Sequence, residues 1–323
     1  MPCERTVART AHLLDTCVSP LLRGPADPTL RRTTTGWWRT ARSPYGPGLQ
    51  RLVRSGDDVV VTCWGPGAEW LAGQAPRLLG AADDVSDFDP SPVRAVAEAH
   101  RRRPWLRLGR TDLVLEALAP ASIEQVVTGK EAFRAQRLLL QRFGDRPEGP
   151  ALDEAHPAWG MRLPLSAVQW LAVPSWEFLR AGVEARRTRA ILAAARTSRS
   201  LERLASNAYT GDIDAALRSL PGVGPWTSAA VRQRALGDPD AWSIGDYHVG
   251  KHISSVLVGE QLDDDAVTEL LEPYRGHRFR VEVLLAGMPH PERHGPRRSL
   301  PTHLPAEAPT PRRRPRRSSE ARR

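Results

Sequence analysis

The chain is poor in lysine and cysteine and has no long apolar run. Only Lys130 and Lys251 stand against forty-four arginines, so chemistry that needs a lysine amine has just two candidate residues. The cysteines Cys3, Cys17 and Cys63 are scattered through the N-terminal part without a CxxC pair. That spacing supports neither a disulfide framework nor a metal site. No stretch approaches the roughly eighteen consecutive apolar residues of a membrane-crossing helix. The first residues carry Glu4, Arg5, Arg9 and Asp15 where a signal peptide needs an unbroken apolar core. A cytoplasmic protein without a membrane partner is expected.

What is present is enough for two compact domains: 323 residues, 41% of them hydrophobic. The net charge of +9 is unevenly placed, because residues 291–323 hold ten Arg and three Glu, leaving +2 for residues 1–290. Basicity is therefore mostly a property of the tail. Residues 288–323, rich in Pro, Arg and Ser, are expected to be disordered and to add salt-sensitive affinity for a polyanion.

Residues 1–27 show no sustained period and read as a loosely ordered leader. Over 28–90 three strands are expected, at 37–40, 49–53 and 58–62, with a hairpin turn at Ser55-Gly56-Asp57 and a helix over 69–79. From 91 to 287 the pattern turns helical, including one helix over 121–142 and others over 224–236 and 246–257. Residues 144–164, rich in Gly and Pro, form the longest internal loop. The fold class is α+β, a small sheet-and-helix domain followed by an all-α domain.

The most informative motif is Leu220-Pro221-Gly222-Val223-Gly224-Pro225-Trp226-Thr227, followed by Gly245-Asp246-Tyr247. Two glycines permit a tight turn whose N–H groups approach an anionic oxygen without a Cβ in the way. Pro225 suits the first turn of the following helix, where its missing N–H costs nothing. Hairpin plus carboxylate resembles the helix-hairpin-helix superfamily of DNA glycosylases. Within it, Trp226 and Asp246-Tyr247 make the chain similar to the bacterial 3-methyladenine DNA glycosylase II family. The resemblance extends through Ile123-Glu124-Gln125-Val126-Val127-Thr128 and covers most of residues 28–287. It implies a monomeric, nucleoid-associated enzyme of base excision repair whose partner is double-stranded DNA carrying a damaged base.

Breaking an N-glycosidic bond builds positive charge on the sugar, and a nearby carboxylate stabilises that charge or activates water. Asp246 is the candidate; the alternative is a residue that caps the following helix. Cationic bases such as 3-methyladenine need less acid assistance, so one carboxylate suffices. Trp226 stands where bifunctional relatives place a Schiff-base lysine, and neither Lys130 nor Lys251 matches that position. A monofunctional glycosylase follows, with Trp226 stacking on the base or else serving as core.

The resemblance implies DNA contacts at Gly222, Val223, Gly224 and Thr227, and a monovalent cation at the Leu220 and Val223 carbonyls; no cofactor is implied. The iron-sulfur branch places four cysteines after its Asp, whereas this chain has none after Cys63. Gln125 and Val126 match the loop that probes the gap left by a flipped base, with an ordinary turn as the alternative. Val126 is small for a wedge, and Ala230 stands where the family pattern has an aromatic ring. Tyr247 and Trp242 are candidate substitutes in the base pocket. Arg101-Arg102-Arg103 and Arg186-Arg187 read as solvated faces or phosphate contacts; His248 and His252, at the i, i+4 spacing that can suit a metal, lack a third ligand nearby and read as solvent- or DNA-facing. Other readings are a helix-hairpin-helix protein that binds DNA without catalysis, and a glycosylase with lyase activity.

Overall fold

The computed structural model describes residues 2–206 and 211–289. The Arg- and Pro-rich tail lies outside the described residues from 290 onward. Five antiparallel strands form one sheet in the order β1-β5-β4-β3-β2. They are β1 (Cys3–Val7), β2 (Leu30–Thr33), β3 (Gly36–Ser43), β4 (Gly46–Ser55) and β5 (Asp58–Trp64). Alternation in β5 puts Val59, Val61 and Cys63 on one fully buried face. Ser55 pairs with Asp58 across the expected hairpin turn, which spans the two residues Gly56 and Asp57, and Gly56 takes a φ of 61°.

The leader is a correction. Residues 3–7 pair with β5 from Cys3↔Cys63 to Val7↔Val59, and helix α1 (Leu14–Val18) buries Leu14 and Val18 completely. Each such burial contributes about 1.5–3 kcal/mol, enough to order a short segment against a sheet. The strand was hidden because Glu4, Arg5 and Thr6 on an edge strand leave no apolar alternation to see. The same face is closed by α2 (Ala68–Leu78), whose Leu71, Ala75 and Leu78 join that core.

The Gly/Pro loop 144–164 covers the opposite face. Ala151, Ala158 and Met161 are buried with Trp38 and Leu49; Trp38 stacks on Trp64 at 5.6 Å and meets the edge of His156 at 4.8 Å.

The helices that follow build two separate cores. One gathers α4 (Val114–Glu124), α5 (Gly129–Phe143), α6 (Ala167–Ala172), α7 (Ser175–Ala181), α8 (Ala185–Arg196), α9 (Ser198–Glu202), α10 (Ile213–Arg218) and α11 (Pro225–Val231) around Leu118, Phe178, Ile191 and Val231. The other joins α3 (Arg94–Arg102) to α12 (Val249–Val258), α13 (Asp264–Leu270) and α14 (Arg278–Leu285) around Val96, Ile253, Val267 and Val281. Helix α4 is apolar nearly all round and is buried along its length; Glu202 caps it by accepting the Val114 and Leu115 N–H groups, both at 2.9 Å.

The single helix expected over 121–142 is two. Helix α4 stops at Glu124, and α5 starts with a capping box in which Thr128 accepts the Glu131 N–H and Glu131 accepts the Thr128 N–H. A cavity of about 80 Å³ lies between the sheet domain and the first helical core. Its lining includes Arg39, Glu116, Gln136, Trp170 and Arg234. Burial pushes the Glu116 carboxyl up to about 7, with Arg39 opposing the rise.

Candidate active site

The hairpin is built from its own side chains. Asp212 caps α10 by accepting the Ala215 N–H at 3.0 Å, and Asp214 receives the Ser228 hydroxyl at 2.6 Å, tying α10 to α11. Between them the Val223 N–H closes onto the Leu220 carbonyl at 3.1 Å. Gly222 takes a φ of 84°, and a Cβ there would meet the Ala190 Cβ at 3.2 Å on α8. Only glycine fits both demands. Gly224 differs from expectation: its backbone is extended, and a Cβ would point into open space. Nothing among the described residues requires a glycine there. Pro225 occupies the first turn of α11. Thr227 is a correction: it is 2% exposed, so its side chain braces the hairpin and offers no open contact to DNA; α11 runs on as a π-helical turn over Arg232–Leu236 that Gly237 ends in the left-handed region.

The turn between α4 and α5 lies against this hairpin. The Gln125 amide donates to the Gly222 carbonyl and to the Thr227 hydroxyl, each at 2.8 Å. Next to it Val126 has a φ of 56° and is 95% exposed. A β-branched residue in the left-handed region is a genuine outlier, strained by about 1–2 kcal/mol. The chain thus holds an apolar side chain out from the surface. Arg187 braces the same turn from behind, donating to the Ile123 carbonyl at 2.9 Å and the Gly182 carbonyl at 2.7 Å. Arg187 and Arg103 are therefore not solvated faces; Arg103 donates to the Val283 carbonyl at 2.8 Å and to that of Leu284. Arg186 stays exposed beside the hairpin.

Asp246 sits where the two helical cores meet. Its Oδ2 accepts the Trp226 indole N–H at 3.2 Å, reaching across to α11. Its Oδ1 accepts the backbone N–H of His248 at 2.9 Å and of Val249 at 3.1 Å at the start of α12. Asp246 is thus a helix cap and a half-buried surface carboxylate together. A carboxylate has about four acceptor directions, and three donors leave one open.

Around it Tyr247 is 74% exposed, with the Lys251 ammonium 3.9 Å from its ring centre and His248 edge-on at 4.8 Å. Trp226 is half-buried. Trp242 is a correction: at 4% exposure it belongs to the second helical core, because the loop turns its ring inward beneath α12, within 4.0 Å of where a Cβ on Gly250 would sit. It supports the site from below and does not line it. His252 also turns inward, its Nε2 3.0 Å from the Leu285 carbonyl. Ala230 is buried, and its carbonyl accepts from Arg234 at 3.2 Å.

Sequence reasoning missed the residues that hold the Asp246 loop. Ser243 gives its N–H and its hydroxyl to the two oxygens of Glu282, each at 2.8 Å. Gln233 donates to the Ala241 carbonyl at 2.6 Å and the Ser243 hydroxyl at 3.0 Å. The Gly245 N–H goes to Asp264 at 2.9 Å. Burial pushes the Glu282 carboxyl up to about 7; the Ser243 bonds oppose the rise, the Asp246 charge adds to it and Arg234 opposes it. Burial likewise pulls the Arg234 guanidinium down to about 10. Among the described residues no helix is long and apolar enough to cross a membrane.

No protein-family model matches the chain. It is similar to the probable bifunctional transcriptional activator/DNA repair enzyme AlkA of Mycobacterium tuberculosis, 27% identical over 263 residues that cover 78% of this chain and 50% of that protein. The chain spans half the length of the curated relatives it matches. A 3-methyladenine DNA-glycosylase from Archaeoglobus fulgidus superposes with a TM-score of 0.67 at 20% identity, over 88% of this chain and 97% of that one. The apo form of a Clostridium acetobutylicum 8-oxoguanine glycosylase/lyase gives 0.64 at 13% identity, over 88% and 98%. With its hairpin, its exposed turn at Val126 and its capping carboxylate, this chain has the fold of the helix-hairpin-helix DNA glycosylases, and its sequence resembles a repair enzyme of the AlkA type.

Proposed function

We propose that the protein is a monofunctional DNA glycosylase that releases alkylated purines of the 3-methyladenine type from duplex DNA. The observation that carries this reading is Asp246, a carboxylate held in place by three donors with one acceptor direction open at the hairpin's edge. The hairpin grips a phosphate through the N–H groups of Gly222 and Gly224. The open space before Gly224 supports this, since it leaves room for a phosphate to approach the backbone closely. The Leu220 carbonyl, which accepts one N–H in the turn, keeps a second lone pair for the monovalent cation the resemblance implies; Val223 would supply the other carbonyl.

Val126 enters the stack and offsets part of the few kcal/mol that base flipping costs. Gln125 keeps that wedge in register with the phosphate grip. The flipped base meets the half-buried Trp226 ring and the exposed Tyr247, and a cationic base is attracted to an aromatic face. The C1′–N bond breaks with its electron pair leaving on the base, which neutralises the base's positive charge. Asp246 stabilises the cationic sugar, water bonds to C1′ and loses a proton, and an abasic site remains. An indole at position 226 cannot form a Schiff base.

The reading is tested by incubating the protein with methylated duplex DNA and measuring free base and strand integrity together. The expected result is free 3-methyladenine and strands that break only on added alkali. Cleavage without alkali, with borohydride trapping of an enzyme-DNA adduct, would overturn the monofunctional assignment. Tight binding with no base released favours a DNA-binding protein without catalysis, for which Val126 and Ala230 speak.

A further inference from the structure

We propose that Glu282 is a positioning residue for Asp246, acting through Ser243 from α14 behind the Asp246 loop. This rests on the glycosylase reading above. Ser243 is the joint: Glu282 on α14 takes both its N–H and its hydroxyl at 2.8 Å, and its carbonyl takes the Asp246 N–H at 3.1 Å. Gln233, from the π turn that extends α11, also holds the Ser243 hydroxyl at 3.0 Å. One serine therefore carries the orientation of α14 and of α11 to the peptide of Asp246. Gly245, with a φ of 84°, lets the chain reverse between them.

The pairing suits the charged form of Glu282. A carboxylate is acceptor-only and matches two donors, whereas a protonated carboxyl turns one oxygen into a donor and breaks the match. This match favours the ionised form, so the chemical step gains speed as pH rises through about 7, where burial has brought the Glu282 carboxyl. The charged groups around it are Asp246 and Arg234. From the packed elements come Arg103 of α3 and His252 of α12, which bind the carbonyls of residues 283–285. On α14 itself Arg278 pairs with Asp240, Arg280 with Asp83 and, just before the helix, His277 with Asp87.

The test uses the full chain with Glu282→Gln, Asp246→Asn and the double variant. Glu282→Gln should lower the single-turnover rate roughly tenfold to a hundredfold at pH 8, as misplacement of a reacting group does. DNA affinity should stay unchanged, and the rise in rate from pH 6 to pH 8 should disappear. In the Asp246→Asn background the same change should cost nothing further, because nothing remains to be positioned. A rate and pH profile equal to wild type overturns the proposal, as does a full additional loss in the double variant. A readout independent of activity is the Trp226 indole N–H resonance. It should titrate near pH 7 in the wild type and lose that titration in Glu282→Gln. If the wild type releases no base, the glycosylase reading fails, and this resonance alone decides for or against Glu282.

Discussion

The two sides of the site are held in different ways. On the hairpin side, the turn and the exposed Val126 are fixed by the left-handed Gly222, by caps a few residues away, Asp212 and the Thr128 box, and by the neutral Gln125 amide on the Gly222 carbonyl. On the carboxylate side, the loop from Ala241 to Asp246 is fixed by the side chains of Gln233, Asp264 and Glu282, the last thirty-nine residues beyond Ser243. On the reading proposed above, the hairpin side grips a phosphate that any DNA sequence offers. The carboxylate side would set the charge at the reacting centre, and pH reaches it through Glu282.

Gly222→Ala gives the sharpest break on the hairpin side. The left-handed conformation costs a non-glycine about 1–2 kcal/mol, and the neighbouring Ala190 must also give way. DNA binding, followed by fluorescence anisotropy, should weaken about tenfold or more while the protein stays folded. Wild-type affinity would move the phosphate grip elsewhere.

Gln125→Ala removes two hydrogen bonds worth together about 1–3 kcal/mol. The fluorescence of a 2-aminopurine placed beside the lesion should report several-fold less base flipping, with affinity for undamaged DNA changed little. An unchanged signal would show that Val126 needs no tie to the hairpin. Gly224→Ala sharpens the contrast further: its open surroundings predict an unchanged melting temperature with DNA binding weakened by a few-fold, about 1 kcal/mol.

The smallest expected effect is on stability. Glu116 and Glu282 are both raised to about 7 when folded, so the folded state binds more protons than the unfolded chain above about pH 4.5. Their contribution is full below that point and is lost as pH rises through about 7. The melting temperature should fall between about pH 5 and pH 8, and Glu116→Gln should flatten part of that slope. A melting temperature that rises over this range contradicts the assignment.

The same contrast explains what was legible in the sequence. Gly222, Pro225 and Asp246 could be read because the physics they answer to is local: a left-handed turn, a helix start, a helix cap. Thr128 and Glu131 carried an equally local signal, a capping box, and heeding it would have split the helix over 121–142. Glu282 and Gln233 had none, since a buried carboxyl on an α-helix looks like any surface glutamate until the fold brings Ser243 to it. Trp242 was misplaced for the same reason: nothing in the loop marks which aromatic turns inward. The edge strand Cys3–Val7 was invisible because it is held by backbone pairing with β5, which leaves no trace in side-chain pattern.

The most direct measurement is release of 3-methyladenine from methylated duplex DNA by the wild type and by Asp246→Asn, with binding of both titrated at the same salt. A wild type that releases base, beside a variant that binds equally and is slower by roughly a hundredfold or more, is the predicted result. Equal release by both proteins would take the chemistry away from Asp246 and contradict the account.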